Sequence, residues 1–168
     1  MDAEPGQLTL RDLRPADWPA VRGIYGEGID GGDATFEVEP PSWERWDAAH
    51  PALRLVVERD GTVVGWAALS PASKRHCYRG VGEVSVYVAE EARGAGLGRE
   101  LLGEMVERSE RAGYWTLTAG VFPENEASIR LHKACGFREV GVREGLGESN
   151  GVWRDVVLLE RRSTLVGT

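Results

Sequence analysis

Apolar residues along this chain alternate between the two-residue period of a strand and the three-to-four-residue period of a helix, and each change of period predicts a new element. A strand is predicted near Leu8–Arg11. Beyond Pro15 a helix begun by Asp17 presents Val21, Ile24 and Tyr25 on one face and ends near Gly28. After a loop over 30–39, Pro40-Pro41-Ser42 opens a short helix carrying Trp43 and Trp46. The runs Leu53–Arg59 and Thr62–Ser70 flank Asp60-Gly61, a pair suited to a two-residue hairpin turn. A strand Glu83–Val88 precedes a helix with the stripe Leu97, Leu101, Leu102, Met105 and Val106, the pairs Glu104/Arg108 and Glu107/Arg111 on its outer face, and Gly113 as its stop. A strand over 115–121, a helix over 126–135 capped by Gly136, and strands near 137–143 and 152–160 complete an α+β order.

Composition narrows the class. A chain of 168 residues, 42% of them hydrophobic, buries one substantial core, and no Pro- or Ser-rich linker divides it. A single domain over 1–168, with its core at about 8–160, is expected. Twenty basic against 27 acidic residues, a net charge of -7, disfavour a nucleic-acid surface. Cys77, Cys135, His50, His76 and His132 show neither metal-ligand nor disulfide spacing, so no metal is expected and a reducing cytoplasm is the natural setting. Met1–Gly6 lacks the basic-then-apolar pattern of a leader, and no apolar run is long enough for a membrane. The ends, roughly 1–6 and 162–168, read as flexible.

The most informative stretch joins strand 83–88 to the next helix through Ala89-Glu90-Glu91-Ala92-Arg93-Gly94-Ala95-Gly96-Leu97-Gly98-Arg99. Glycines clear side chains from where a ligand must touch backbone, and a helix start offers unpaired N–H groups and a positive dipole end, which suits a pyrophosphate. A P-loop would need Lys then Ser or Thr where Arg99-Glu100 stands. A dinucleotide fold would need Gly-x-Gly-x-x-Gly and a later acidic residue at a strand end, and both are missing. Arg93, Arg99, Arg130 and Lys133 form a candidate positive strip for a multiply charged coenzyme, or are solvated surface bases.

The remaining pattern, Arg-x-x-Gly-x-Gly at Arg93, Gly96 and Gly98, resembles the coenzyme A pyrophosphate loop of the GNAT superfamily of N-acetyltransferases. The following Asn125-Glu126-Ala127-Ser128 and Arg130-Leu131-His132 match that family's second element. Ala34-Thr35-Phe36-Glu37, Glu83–Val88 and Gly151-Val152-Trp153-Arg154-Asp155-Val156 resemble the phosphinothricin and methionine sulfone acetyltransferase branch, so the likeness covers most of 8–160. It implies a GNAT fold: a mixed, mostly antiparallel sheet of about seven strands flanked by four helices, with strands 4 and 5 splayed around the cofactor. It also implies acetyl-CoA as cosubstrate, direct transfer to a small amine such as phosphinothricin, methionine sulfone or methionine sulfoximine, and a homodimer.

Roles follow from the resemblance residue by residue. Cofactor contacts fall on Val86, Tyr87, Val88, Arg93, Gly94, Ala95, Gly96, Leu97, Gly98, Arg99, Asn125 and Ser128. Glu83 is the implied general base, His132 the implied acid for the departing thiolate with Tyr87 as second choice, and Phe36, Arg75, Tyr78 and Trp153, with Glu83, the implied acceptor pocket. Each has a plainer reading: a salt-bridged strand-end Glu83, a carbonyl-satisfied His132, Asn125 as an N-cap, Arg75 binding nothing, Phe36 and Trp153 as packing aromatics. Cys135 reads as a small core residue rather than an acyl carrier. One departure stands out: the branch carries a basic residue between Arg143 and Trp153, whereas this chain has Glu144–Val152 with added acids and one more residue, which weakens attraction for an anionic side chain. Two other functions fit: acetylation of a protein N-terminus or other amine, and a non-catalytic acyl-CoA sensor.

Overall fold

The computed structural model describes residues 6–168; the loose N-terminus expected at 1–6 lies, for residues 1–5, outside them. The strands are β1 (Leu8–Asp12), β2 (Arg54–Arg59), β3 (Thr62–Pro71), β4 (Val81–Val88), β5 (Thr116–Val121), β6 (Arg138–Ser149) and β7 (Val152–Arg162). They form one sheet in the order β1-β2-β3-β4-β5-β7-β6. Only β4 and β5 pair in parallel. The helices are α1 (Trp18–Asp30), α2 (Trp43–Ala49), α3 (Leu97–Arg111) and α4 (Glu126–Ala134). This is the expected α+β arrangement.

Neighbouring residues on β3 show how the two faces fill. Trp66 points to one side, where its ring packs with Tyr25 of α1 and Trp46 of α2. A Cβ on Gly65 would point to the other and meet Leu101 of α3 at 3.0 Å. Trp46, Trp66, Leu101, Leu102 and Met105 are fully buried between sheet and helices. Asp60 and Gly61 both adopt positive φ, 53° and 81°, and close the β2–β3 hairpin as predicted.

Three departures from expectation have a clear structural reason. α1 runs past Gly28 to Asp30 because Gly28 is a packing position rather than a stop: a Cβ there would lie 2.7 Å from the Tyr87 ring. The segment 144–151, read as a loop, is largely paired: β6 continues to Ser149, irregular between Arg143 and Gly147, and turns through Asn150-Gly151 at positive φ. The C-terminus is anchored rather than loose. Arg162 donates to the carbonyls of Ser163, Val166 and Gly167, and the buried Ser163 hydroxyl donates to Glu110 at 2.9 Å.

Candidate active site

The site begins where two strands part. β4 and β5 pair over only three rungs, Val81↔Thr116, Gly82↔Leu117 and Glu83↔Thr118. Beyond them β4 continues to Val88 against β3, and β5 to Val121 against β7. Their facing edges therefore separate and leave inner backbone groups free of ladder bonds, which a ligand can take up as an added strand would. Glu83 stands on the last closed rung.

Two cavities open from this fork. One, about 580 Å³, is lined by Val86, Tyr87 and Val88 of β4, by Arg93, Gly94 and Gly96 to Arg99 of the loop and α3, and by Asn125, Ser128 and Leu131 of α4. Gly96 occupies the N-cap of α3 at φ 79°, a left-handed conformation that glycine enters without steric cost, and no side chain caps the helix. The first N–H groups of α3 are thus free for an anion, with Arg99 in the same turn. Arg93 folds back instead, its Nε donating to the Val88 carbonyl at 3.3 Å.

The second cavity, about 470 Å³, is lined by Glu83, Ser85, Thr118, Tyr25, His50, Phe36, Glu37 and Arg143 among others. Asp33, Ala34, Val86, Tyr87, Asn125 and Ser128 line both cavities, so the two meet at a common wall. Glu83 is exposed, and no described ion pair engages it.

His132 is buried on α4 with its ring edge-on to Phe137 at 5.1 Å. Its Nδ1 lies 2.7 Å from the Ser128 carbonyl, which can only accept, so Nδ1 carries the hydrogen and Nε2 is left as a bare, buried acceptor without a partner. Burial holds the imidazole below its ordinary pKa, outweighing the Ser128 bond. The residue expected to supply a proton is therefore held in its proton-accepting form. Tyr87 forms a near-parallel aromatic trio with Trp66 at 4.7 Å and Tyr25 at 5.1 Å, which are themselves 5.6 Å apart. Burial, then the neighbouring Tyr25, push its phenol well above the usual range, so it gives up a proton reluctantly.

Asn125 does cap α4: its Oδ1 accepts from Ser128 N at 3.2 Å, while Nδ2 donates to the Asp33 carbonyl at 3.1 Å, leaving one amide N–H unspent. Phe36 lies edge-on to Phe122 at 4.8 Å and walls the second cavity. Three other residues expected in the acceptor pocket stand apart from it. Arg75 and Tyr78 are exposed and stack on each other, 5.4 Å from guanidinium carbon to ring, and Trp153 is 68% exposed on β7. Neither cavity includes them.

The arginine that does line the second cavity is Arg143 of β6, with no described ion pair. His50, just past α2, joins it, its Nδ1 2.7 Å from the Trp46 carbonyl and its pKa lowered by burial. Sequence reasoning missed both. Arg143 ends the strand predicted near 137–143, where periodicity does not tell which neighbours it meets, and the spacing of His50 speaks only to metal binding.

With this geometry in view, known proteins supply context. A sequence model described as the Acetyltransferase (GNAT) family matches residues 10–137. The chain is 39% identical to the phosphinothricin N-acetyltransferase of Alcaligenes faecalis over 162 residues, 91% of this chain and 81% of that protein. It is 31% identical to an L-methionine sulfoximine/L-methionine sulfone acetyltransferase of Pseudomonas paraeruginosa over 159 residues, 90% of this chain and 92% of that protein. Its fold is similar to a crystal structure of a GNAT superfamily phosphinothricin acetyltransferase from Sinorhizobium meliloti in complex with AcCoA, with TM-score 0.87 and 33% identity over 95% of this chain and 90% of that one.

Proposed function

The chain belongs to the acetyltransferase (GNAT) family, and from that premise we propose that it acetylates the free amine of a small amino-acid-like molecule by direct transfer, in the cytoplasm and as a homodimer. It is an acetyl-CoA-dependent N-acetyltransferase. The observation that carries the acceptor reading is the position of Glu83: on the last β4–β5 rung, in the cavity that shares a wall with the loop-and-helix groove.

Acetyl-CoA, when bound, supplies an activated acetyl thioester. The residues fit it: a helix start without a side-chain cap, an unpaired β4 edge and a glycine loop line one groove. We assign the phosphates to the 94–99 backbone with Arg99 and the pantetheine arm to Val86–Val88, with the spare Asn125 N–H beside it. The Glu83 carboxylate takes the ammonium proton of the acceptor and so frees its lone pair. Amides along the open β4 edge stabilise negative charge developing on the carbonyl oxygen. The nitrogen sheds a second proton as the amide forms, and the departing thiol needs one; the bare Nε2 of His132 accepts the first of these before returning it to the sulfur, while Tyr87 acts as a wall that keeps its own.

The pocket's charges argue for the acceptor class. Arg143 suits the α-carboxylate of an amino acid, whereas Glu37 and Glu83 repel a second anion. A neutral sulfone or sulfoximine side chain is favoured over a phosphinate. The exposed Val140, Val142, Val152 and Trp153 on the β6–β7 hairpin, with Tyr78, support a subunit interface that brings Trp153, Arg75 and Tyr78 towards a pocket they do not reach within one chain. The free thiols of Cys77 and Cys135, and the absence among the described residues of a helix long and apolar enough to cross a membrane, are consistent with the cytoplasm.

The test is thiol release from acetyl-CoA with methionine sulfone, methionine sulfoximine, phosphinothricin, ordinary amino acids and simple amines. Turnover of the sulfone or sulfoximine ahead of phosphinothricin is expected. Silence across the panel with acetyl-CoA bound would overturn the small-acceptor reading and turn attention to protein N-termini or to sensing.

A further inference from the structure

Arg154 belongs to the Trp-Arg-Asp run of β7, yet it lines neither cavity and takes no part in the chemistry above. Its side chain is only 15% exposed, an unusual setting for a guanidinium unless its donors are engaged. They are engaged. Nη1 donates to the Gly32 carbonyl at 2.5 Å, and Nη2 donates to Asp33 Oδ1 at 2.7 Å and to Glu124 Oε2 at 3.2 Å. The guanidinium also lies 3.7 Å from the centre of the Phe122 ring.

These contacts draw together pieces far apart in sequence. Gly32 and Asp33 start the irregular segment between α1 and α2, Phe122 and Glu124 lead from β5 into α4, and Arg154 itself is on β7. The irregular segment has no strand partner, so side chains must hold it in place. Asn125 adds its bond to the Asp33 carbonyl. The segment carries Asp33 and Ala34 into the wall shared by both cavities and Thr35, Phe36 and Glu37 into the acceptor side. Phe36 also depends on this arrangement, since its ring meets the edge of Phe122, whose face Arg154 covers.

We propose that Arg154 is a positioning residue for acceptor binding: it latches the 32–37 segment onto β7 and the start of α4, holding the acceptor wall in place without touching substrate. This rests on reading the Glu83 cavity as the acceptor pocket. A planar fork on an aromatic face fixes Gly32, Asp33 and Glu124 together; a lysine keeps the charge but not that geometry. Loosening the wall makes the acceptor order it on binding, which weakens the apparent affinity. The 94–99 loop and the β4 edge make no contact with the guanidinium, which reaches their groove only through Asp33 and Glu124 at its rim.

Arg154→Lys is the test, in the full chain. The acceptor KM should rise about tenfold or more, roughly the loss of one charged hydrogen bond, while kcat and the acetyl-CoA KM stay within about threefold. In hydrogen exchange, which needs no acceptor, amides of 32–37 should exchange about tenfold faster than in the parent while β5 and β7 keep their protection. An unchanged rate at 32–37, or faster exchange throughout the sheet, overturns the latch. Faster exchange confined to 32–37 with an unchanged acceptor KM overturns its role in acceptor binding. If no small amine is turned over by the parent enzyme, the acceptor reading fails by itself and the exchange arm still decides whether Arg154 holds the segment.

Discussion

Two glycines of α3, Gly98 and Gly103, respond oppositely to alanine. At Gly103 an added Cβ meets nothing within 4 Å. Gly103→Ala should therefore gain the mid-helix propensity difference, about 0.8–1.0 kcal/mol, and raise Tm by roughly 2–4 °C for a chain of this size. At Gly98 the same Cβ would stand 3.1 Å from Leu131 Cδ2, 3.7 Å from Leu131 Cδ1 and 3.8 Å from Val88 Cγ2. Overpacking of that kind costs about 1–3 kcal/mol and exceeds what propensity returns in a first turn, so Gly98→Ala should lower stability by about 1 kcal/mol. Leu131 and Val88 also line the cofactor groove, so their displacement should weaken acetyl-CoA by about tenfold, or 1.4 kcal/mol. Thermal melts with and without acetyl-CoA read both effects, because a ligand stabilises the fold, and so raises Tm, with the logarithm of its concentration over Kd. In the background of Leu131→Ala, which removes the clash, Gly98→Ala should no longer destabilise. Equal stabilisation by the two alanines, with the same acetyl-CoA shift, would refute the close approach of α3 and α4 as the reason for Gly98.

Other outcomes follow from the site. Glu83→Gln should depress turnover at neutral pH by about 10²–10⁴ and leave acetyl-CoA binding intact by calorimetry; unchanged turnover removes Glu83 as base. Arg143→Gln should raise KM for amino-acid acceptors by about 10- to 100-fold, a charged hydrogen bond's worth, and leave simple amines unaffected, measured by thiol release. His132 and His50 both have folded pKa values below the ordinary 6.5, so the unfolded chain binds protons first as pH falls. Their contribution to stability is complete above about pH 6.5 and declines from there down to the depressed values; denaturant titrations at pH 7.5 and 5.5 should show that loss, smaller in His132→Gln.

Period and turn chemistry were legible because they are local: the Asp60-Gly61 hairpin, the apolar stripe of α3 and the cap at Asn125 each depend on residues a few positions apart. So was the Arg93-to-Arg99 loop, whose glycines and helix start suit a phosphate by local chemistry alone. Less legible was Gly28, a stop by propensity, which continues α1 because the Tyr87 ring from β4 occupies the space a side chain would take. The 144–151 segment read as a loop because its pairing with β7 is a long-range decision. Arg162, read as part of a loose tail, anchors the C-terminus through carbonyls that no pattern marks.

Proton states were equally invisible in sequence. His132 is a bare acceptor because the Ser128 carbonyl occupies Nδ1 and the core dries Nε2, and Tyr87 keeps its proton because Trp66 and Tyr25 pack against it. Local order along the chain thus determined the elements, the cofactor loop and the family resemblance. Which cation faces the acceptor cavity, Arg143 rather than Arg75 within the chain, and which way a proton can move there were decided by tertiary structure, because charge and burial depend on neighbours that only folding brings together.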